Sequence, residues 1–135
     1  MPDPEDPAAA RGDSPNRLPG ELSIAVRTEP GATFVEVGGE LDLLSAPLLA
    51  AELDTLLSAQ PGPIAIDLTG TTFMDSAGIH VLVNARQRAK RHVAVICAPG
   101  PVAKALELLG LSEMLNVVSS LDEYKRRRAG GGAGG

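Results

Sequence analysis

Ser76 has Asp75 immediately before it and His80 four residues after it. A hydroxyl, an imidazole and a carboxylate are the parts of a serine nucleophile relay. On a helix, residues four apart are neighbours, so Ser76 and His80 share a face. A strand-to-helix nucleophile turn, however, has the form Gly-x-Ser-x-Gly, and Met74 stands at the first glycine position. The direction of Asp75 is not fixed by its position in sequence. Two other roles need only the hydroxyl. It could cap the helix, or it could be a phosphorylation site, adding a charge of about −1.5 to −2. A helix start tolerates that charge and stabilises it by roughly 0.3–1 kcal/mol. The residues alone leave cap and switch open and disfavour a hydrolase.

Other chemistry finds little support. His80 and His92 are far apart, and no carboxylate cluster has metal-ligand spacing. Gly70, Gly78 and the threonines between them do not spell a phosphate-cradling loop. We expect no metal, no cofactor and no small-molecule substrate. The 135 residues carry a net charge of −5 and 2% aromatic residues. Duplex binding through phosphate neutralisation and base stacking on aromatic platforms are both disfavoured, so no nucleic-acid partner is expected. Cys97 is the single cysteine, which excludes an intrachain disulfide. With no apolar run of about 18 residues and an acidic, Pro-rich start, Met1 to Pro7, unlike a signal peptide, the expectation is a cytoplasmic protein without a membrane partner.

The elements that must position Ser76 follow from periodicity. Leu22, Ile24 and Val26 alternate in a first strand, Pro30-Gly31 turns, and Thr33 to Val37 forms a second strand ended by Gly38 and Gly39. This pair reads as an antiparallel hairpin. Ser45 is placed to cap a helix with Pro47 in its first turn and a stripe of Leu49, Leu53, Leu56 and Leu57. Pro61-Gly62-Pro63 ends it. The third strand, Ile64 to Leu68, alternates apolar Ile64, Ile66 and Leu68 with Ala65 and Asp67. A strand buried on both faces would be more continuously apolar, so the helices are expected largely on one face.

A short loop then leads to a second helix starting at Asp75 or Ser76 and running to Arg91. At 100° per residue, Gly78, Ile79, Leu82, Ala85 and Ala89 fall on one side, with Ser76, His80, Asn84 and Gln87 opposite. The serine therefore points away from the core. Val93 to Cys97 is a fourth strand, Val102 to Leu109 a third helix closed by Gly110, and Leu115 to Val118 a short fifth strand. Ser120-Leu121-Asp122-Glu123 has the form of a capping box for a last, basic-ended helix. After the opening hairpin, strands and helices alternate. The fold class is α/β, a single domain with a mixed, mostly parallel sheet and four helices. Residues 1–20 read as a disordered acidic extension, 21–128 as the domain and 129–135 as a Gly-rich flexible tail.

The run from Ile66 through Asp67-Leu68-Thr69-Gly70-Thr71-Thr72-Phe73-Met74-Asp75-Ser76-Ala77 to Gly78 resembles the signature of the STAS domain, within it the bacterial anti-sigma factor antagonists. Gly39-Glu40-Leu41-Asp42, followed by a helix, resembles the family's first loop. The resemblance spans about residues 20 to 127. It implies a strand–helix superhelix and a protein without enzymatic activity. Its unphosphorylated form binds an anti-sigma factor that is also a serine kinase, releasing a sigma factor. Phosphorylation at Ser76 ends binding, and a serine phosphatase resets the cycle. The implied contact surface is Asp42, Ser45, Asp75, Ser76, Ala77, Gly78 and His80. His80 departs from the small residue expected there and could narrow partner choice or pair with a phosphate. A second reading is a STAS adaptor subunit of a stress-signalling or lipid-transport complex.

Overall fold

The computed structural model describes residues 21–59, 62–89 and 92–130. The expectations for residues 1–20 and for residues 131–135 of the tail lie outside these, while Ala129 and Gly130, expected in the tail, end the last helix. The order is β1 (Ser23–Glu29), β2 (Ala32–Leu41), α1 (Ala46–Ser58), β3 (Ile64–Met74), α2 (Ser76–Ala89), β4 (Val93–Ile96), α3 (Pro101–Leu108), β5 (Val117–Val118) and α4 (Leu121–Gly130). The five strands form one sheet in sequence order. The β1–β2 pair is antiparallel, and every later pair is parallel.

Strand alternation sorts the apolar residues into two cores. Val35, Val37, Ile64, Ile66, Leu68, Val93 and Val95 face one way and bury Leu49 and Leu53 of α1, Leu82 and Ala85 of α2 and Leu106 of α3. Ala32, Phe34, Ala65, Ile96 and Val118 face the other way and are covered by Tyr124 of α4. Three helices therefore share one face and one occupies the other, as the alternation in β3 required. The Phe34 and Tyr124 rings meet edge to face at 5.7 Å, an arrangement that adds about 0.5–1.5 kcal/mol to their burial.

Two boundaries differ from the sequence expectation, and both matter for the site. Strand β2 does not stop at Gly38-Gly39 but continues to Leu41 through register shifts on either side of those glycines. Gly39 takes φ 87°, the left-handed conformation a bulge of this kind uses. Strand β3 does not stop at Leu68 but runs to Met74. Its second half shows no apolar alternation, yet Thr71, Thr72 and Phe73 favour extended backbone. The Thr71 hydroxyl donates to Val37 O at 2.9 Å and that of Thr72 to Gly39 O at 3.3 Å. On β3, only Ile64 to Asp67 pair with β4. Beyond Asp67 the β2–β3 pair continues as a two-stranded arm that packs on the main core through Leu41, Leu68 and Met74.

Candidate functional site

The arm ends where Leu41 of β2 and Met74 of β3 are register partners. The next residue on each strand is an aspartate, so Asp42 and Asp75 emerge side by side at the carboxyl ends of two parallel strands. The Asp75 N–H extends the ladder by donating to Leu41 O at 3.1 Å.

Asp42 organises the turn before α1. Its Oδ1 accepts the N–H of Leu44 at 3.1 Å and of Ser45 at 3.0 Å, and its carbonyl accepts the Ala46 N–H at 2.7 Å. These bonds, with the Ser45 N–H and hydroxyl foremost, hold the Asp42 carboxyl below its ordinary pKa of 3.8. Ser45, expected as the α1 cap, makes no side-chain capping bond. Its Oγ accepts the Asp42 N–H at 2.9 Å and shares its proton between Glu40 O at 2.8 Å and Asp42 Oδ1 at 3.1 Å. The helix-starting role has passed three residues back to Asp42, because its shorter reach to two successive N–H groups closes the turn first.

Asp75 does the same for α2. Its Oδ1 accepts the N–H of Ala77 at 2.9 Å and of Gly78 at 3.4 Å, and its carbonyl accepts the Ile79 N–H at 3.1 Å. Such a cap is worth about 1 kcal/mol. Its Oδ2 crosses to the other loop and accepts the Leu43 N–H at 3.2 Å. One carboxylate thus caps α2 and ties the Asp42–Ser45 turn to it.

Ser76 is then the first helical residue rather than the cap. It is exposed, and among the described residues its hydroxyl has no hydrogen-bond partner. The first-turn N–H groups of Ala77 and Gly78, which have no partner within the helix, are taken by the Asp75 carboxylate and not by the Ser76 hydroxyl. Ala77 is half-buried, and Gly78 is buried beneath Leu41 and Met74. Gly78 therefore offers packing rather than surface. His80 is exposed on the serine's face, one turn on. Both Asp75 oxygens point at backbone N–H groups, so no carboxylate–imidazole–hydroxyl relay is assembled.

Helix α2 is fixed at its far end as well. Arg86 Nε donates to Met114 O at 2.6 Å, and Arg88 pairs with Asp54 of α1 at 2.9 Å. In the two segments that lead into α1 and α2 stand large exposed apolar side chains that the sequence reading did not single out. Leu43, Leu44 and Leu48 are 74%, 87% and 61% exposed, and Phe73 is 50% exposed. Leu43 and Leu44 precede the buried α1 stripe in sequence, which was the available sign. Exposed apolar groups gathered beside a functional candidate mark an interaction surface. Among the described residues no group of three or more His, Cys, Asp or Glu side chains could hold a metal ion, and no helix is long and apolar enough to cross a membrane.

A five-stranded mixed sheet in sequence order thus carries an aspartate–serine pair at a helix start beside the first loop. The STAS domain family matches residues 23–124, and the chain belongs to that family. Within it, the resemblance falls among anti-sigma factor antagonists. The chain is similar to the anti-sigma-F factor antagonist RsfB of Mycobacterium tuberculosis, 24% identical over 107 residues, covering 78% of this chain and 88% of the relative. It is similar in structure to an anti-sigma factor antagonist from Mycobacterium paratuberculosis, with a TM-score of 0.74 and 23% identity over 78% of this chain and 92% of the other. The Bacillus cell fate determinant SpoIIAA, in its phosphorylated form, shares the fold with a TM-score of 0.59 and 18% identity, over 78% of this chain and 98% of the other.

Proposed function

We propose that this chain is an anti-sigma factor antagonist that works by partner switching. In the unphosphorylated state the surface around Ser76, His80 and the Asp42–Ser45 turn binds an anti-sigma factor with serine kinase activity, and a sigma factor is released. The kinase transfers the γ-phosphoryl group of ATP to Ser76 Oγ. The new P–O bond forms as ADP departs, and the hydroxyl proton goes to a base. With both Asp75 oxygens engaged by N–H groups, that base belongs to the kinase. Binding is lost because the partner's apolar contact would enclose a dianion. Burying such a charge unpaired costs about 3–4 kcal/mol, or two to three decades in affinity. A serine phosphatase restores the hydroxyl.

The observation that carries this reading is the exposed hydroxyl of Ser76, without a partner among the described residues, at a helix start that its neighbour Asp75 caps and ties to the turn bearing exposed Leu43 and Leu44. The phosphorylated state described for a protein of the same fold adds support. The protein itself turns nothing over in this scheme. It acts in the cytoplasm, where ATP and the transcription machinery are found. The test is incubation with kinase-type anti-sigma factors and ATP, followed by mass mapping of the phosphate. Modification of Ser76 alone, with loss of the complex, is expected. A complex whose formation and decay ignore Ser76 would favour an adaptor role in another assembly.

A further inference from the structure

The Asp75 carboxylate accepts three N–H groups at once, and one of them lies outside its own helix. Oδ1 serves the first turn of α2 through Ala77 and Gly78, while Oδ2 serves the Leu43 N–H across the gap between the two loops. The Leu43 bond spans 32 residues of sequence and lies at the surface. The rest of the Asp42–Ser45 turn is bonded within itself, through Asp42 and Ser45. Two strongly exposed leucines, Leu43 and Leu44, sit at the crest of this turn. Asp75 Oδ2 is thus a direct polar tie between Ser76's helix and the apolar crest. The residue that provides it is the covalent neighbour of the serine.

We infer that Asp75 is a positioning residue that reports the charge of Ser76 to the Leu43–Leu44 crest. This rests on the reading of Ser76 as the modified residue. A phosphate on Ser76 is a second anion beside Asp75, and it competes for the same first-turn N–H groups that Oδ1 now holds. The Asp75 side chain turns away or shifts toward its remaining helix partner, and the exposed bond from Leu43 is the one released. The crest then loses its fixed position relative to α2. Modification therefore acts twice on the same surface: it places charge at Ser76, and it unfixes the leucines beside it. Packed elements hold the rest of the surface, since α2 is pinned by Gly78 against Leu41 and by Arg86 and Arg88. The response is local to the turn.

The test uses the full chain with phosphoserine incorporated biosynthetically at position 76, so that no kinase is needed. Amide hydrogen exchange is read residue by residue by NMR. Relative to the unmodified protein, Leu43 exchange should accelerate about tenfold, the effect of losing one charge-assisted hydrogen bond at an exposed site. Amides of β3 and β4 should not change. In Asp75→Asn a single oxygen is left to accept the N–H groups of both loops, because the amide NH2 only donates, so Leu43 should exchange fast already and phosphoserine should add nothing further. Unchanged Leu43 exchange in the phosphoserine protein overturns the inference, even where partner binding is lost and the switch itself stands. Accelerated Leu43 exchange with full partner binding supports the coupling and removes the switch. Should Asp75→Asn fail to fold, the wild-type pair decides the matter.

Discussion

Gly78 lies against Leu41 so closely that a Cβ built on it would stand 2.7 Å from Leu41 Cγ and 2.7 Å from Met74 Cγ. Leu41 and Met74 are the last residues of β2 and β3 and are register partners. The start of α2 is therefore seated directly on the tip of the β2–β3 arm, and the position of Ser76 is set by a contact that only glycine permits. Gly78→Ala must move a branched core side chain, because Leu41 is fully buried. The expected loss is about 1–3 kcal/mol. Chemical denaturation checks it, together with a smaller fall in partner affinity as Ser76 is displaced.

Ser76→Ala removes a hydroxyl that has no partner among the described residues, so stability should stay within about 0.5 kcal/mol. Partner binding should persist and resist inactivation by ATP. Ser76→Glu should weaken binding by about a hundredfold with a nearly unchanged Tm. Calorimetry of folding and of binding on the same samples separates these effects. A large stability loss in both variants would assign Ser76 a structural role.

Leu44 is the most exposed of the large apolar side chains around the site, at 87%. Leu44→Ser should leave the unfolding midpoint in place and weaken the complex by at least about tenfold, as truncation of an apolar anchor does. Leu108→Ser, an equally apolar change at another exposed position (74%), serves as the control and should leave affinity unchanged. Titration calorimetry against the anti-sigma factor reads both.

The acid limb of stability should carry the signature of two caps. Asp42 is held below 3.8 by Ser45 and Leu44, and Glu123 below 4.5 by the Ser119 N–H and hydroxyl and by Arg127. A carboxyl with a depressed folded-state pKa contributes stability that is present above its unfolded value and lost as pH falls through the folded one. The midpoint of unfolding should thus be level from about pH 5 to 7 and decline below about pH 4. Asp42→Asn should lower the plateau and flatten part of the decline. Denaturation at several pH values measures both.

His80→Ala tests whether the imidazole one turn beyond Ser76 shapes the partner surface. The residue is exposed, so folding should be unaffected. A fall in kinase binding or in the rate of Ser76 modification is expected. Equal rates in wild type and variant would reduce His80 to a solvated helix residue.

Where apolar residues recur with a period, the sequence was legible. The stripe in α1, the alternation in β3 and the two sides of α2 placed the core and turned Ser76 outward, all as found. Polar stretches were harder to read. Residues 69–74 lack alternation and read as a loop, while β-branched threonines bonded to β2 make them strand. Caps slipped by one to three residues, because several neighbouring side chains could reach the same N–H groups. Asp42 took the role expected of Ser45, and Glu123 returned to Ser119 rather than Ser120, although Ser120 Oγ does accept the Glu123 N–H at 3.0 Å. The tie between Asp75 and Leu43 joins residues far apart in sequence, and no local pattern could announce it. The family motif located the serine, and the packing explains why its surroundings hold still.

Because Asp75 caps the start of α2, the fold does not depend on the hydroxyl of the residue that follows it. Position 76 is thus a vacant attachment point. A cysteine placed there and labelled with an environment-sensitive dye would leave the domain intact, while the native thiol of Cys97 stays buried. Fluorescence from that single position would count occupied and empty molecules in real time, turning the protein into its own binding gauge.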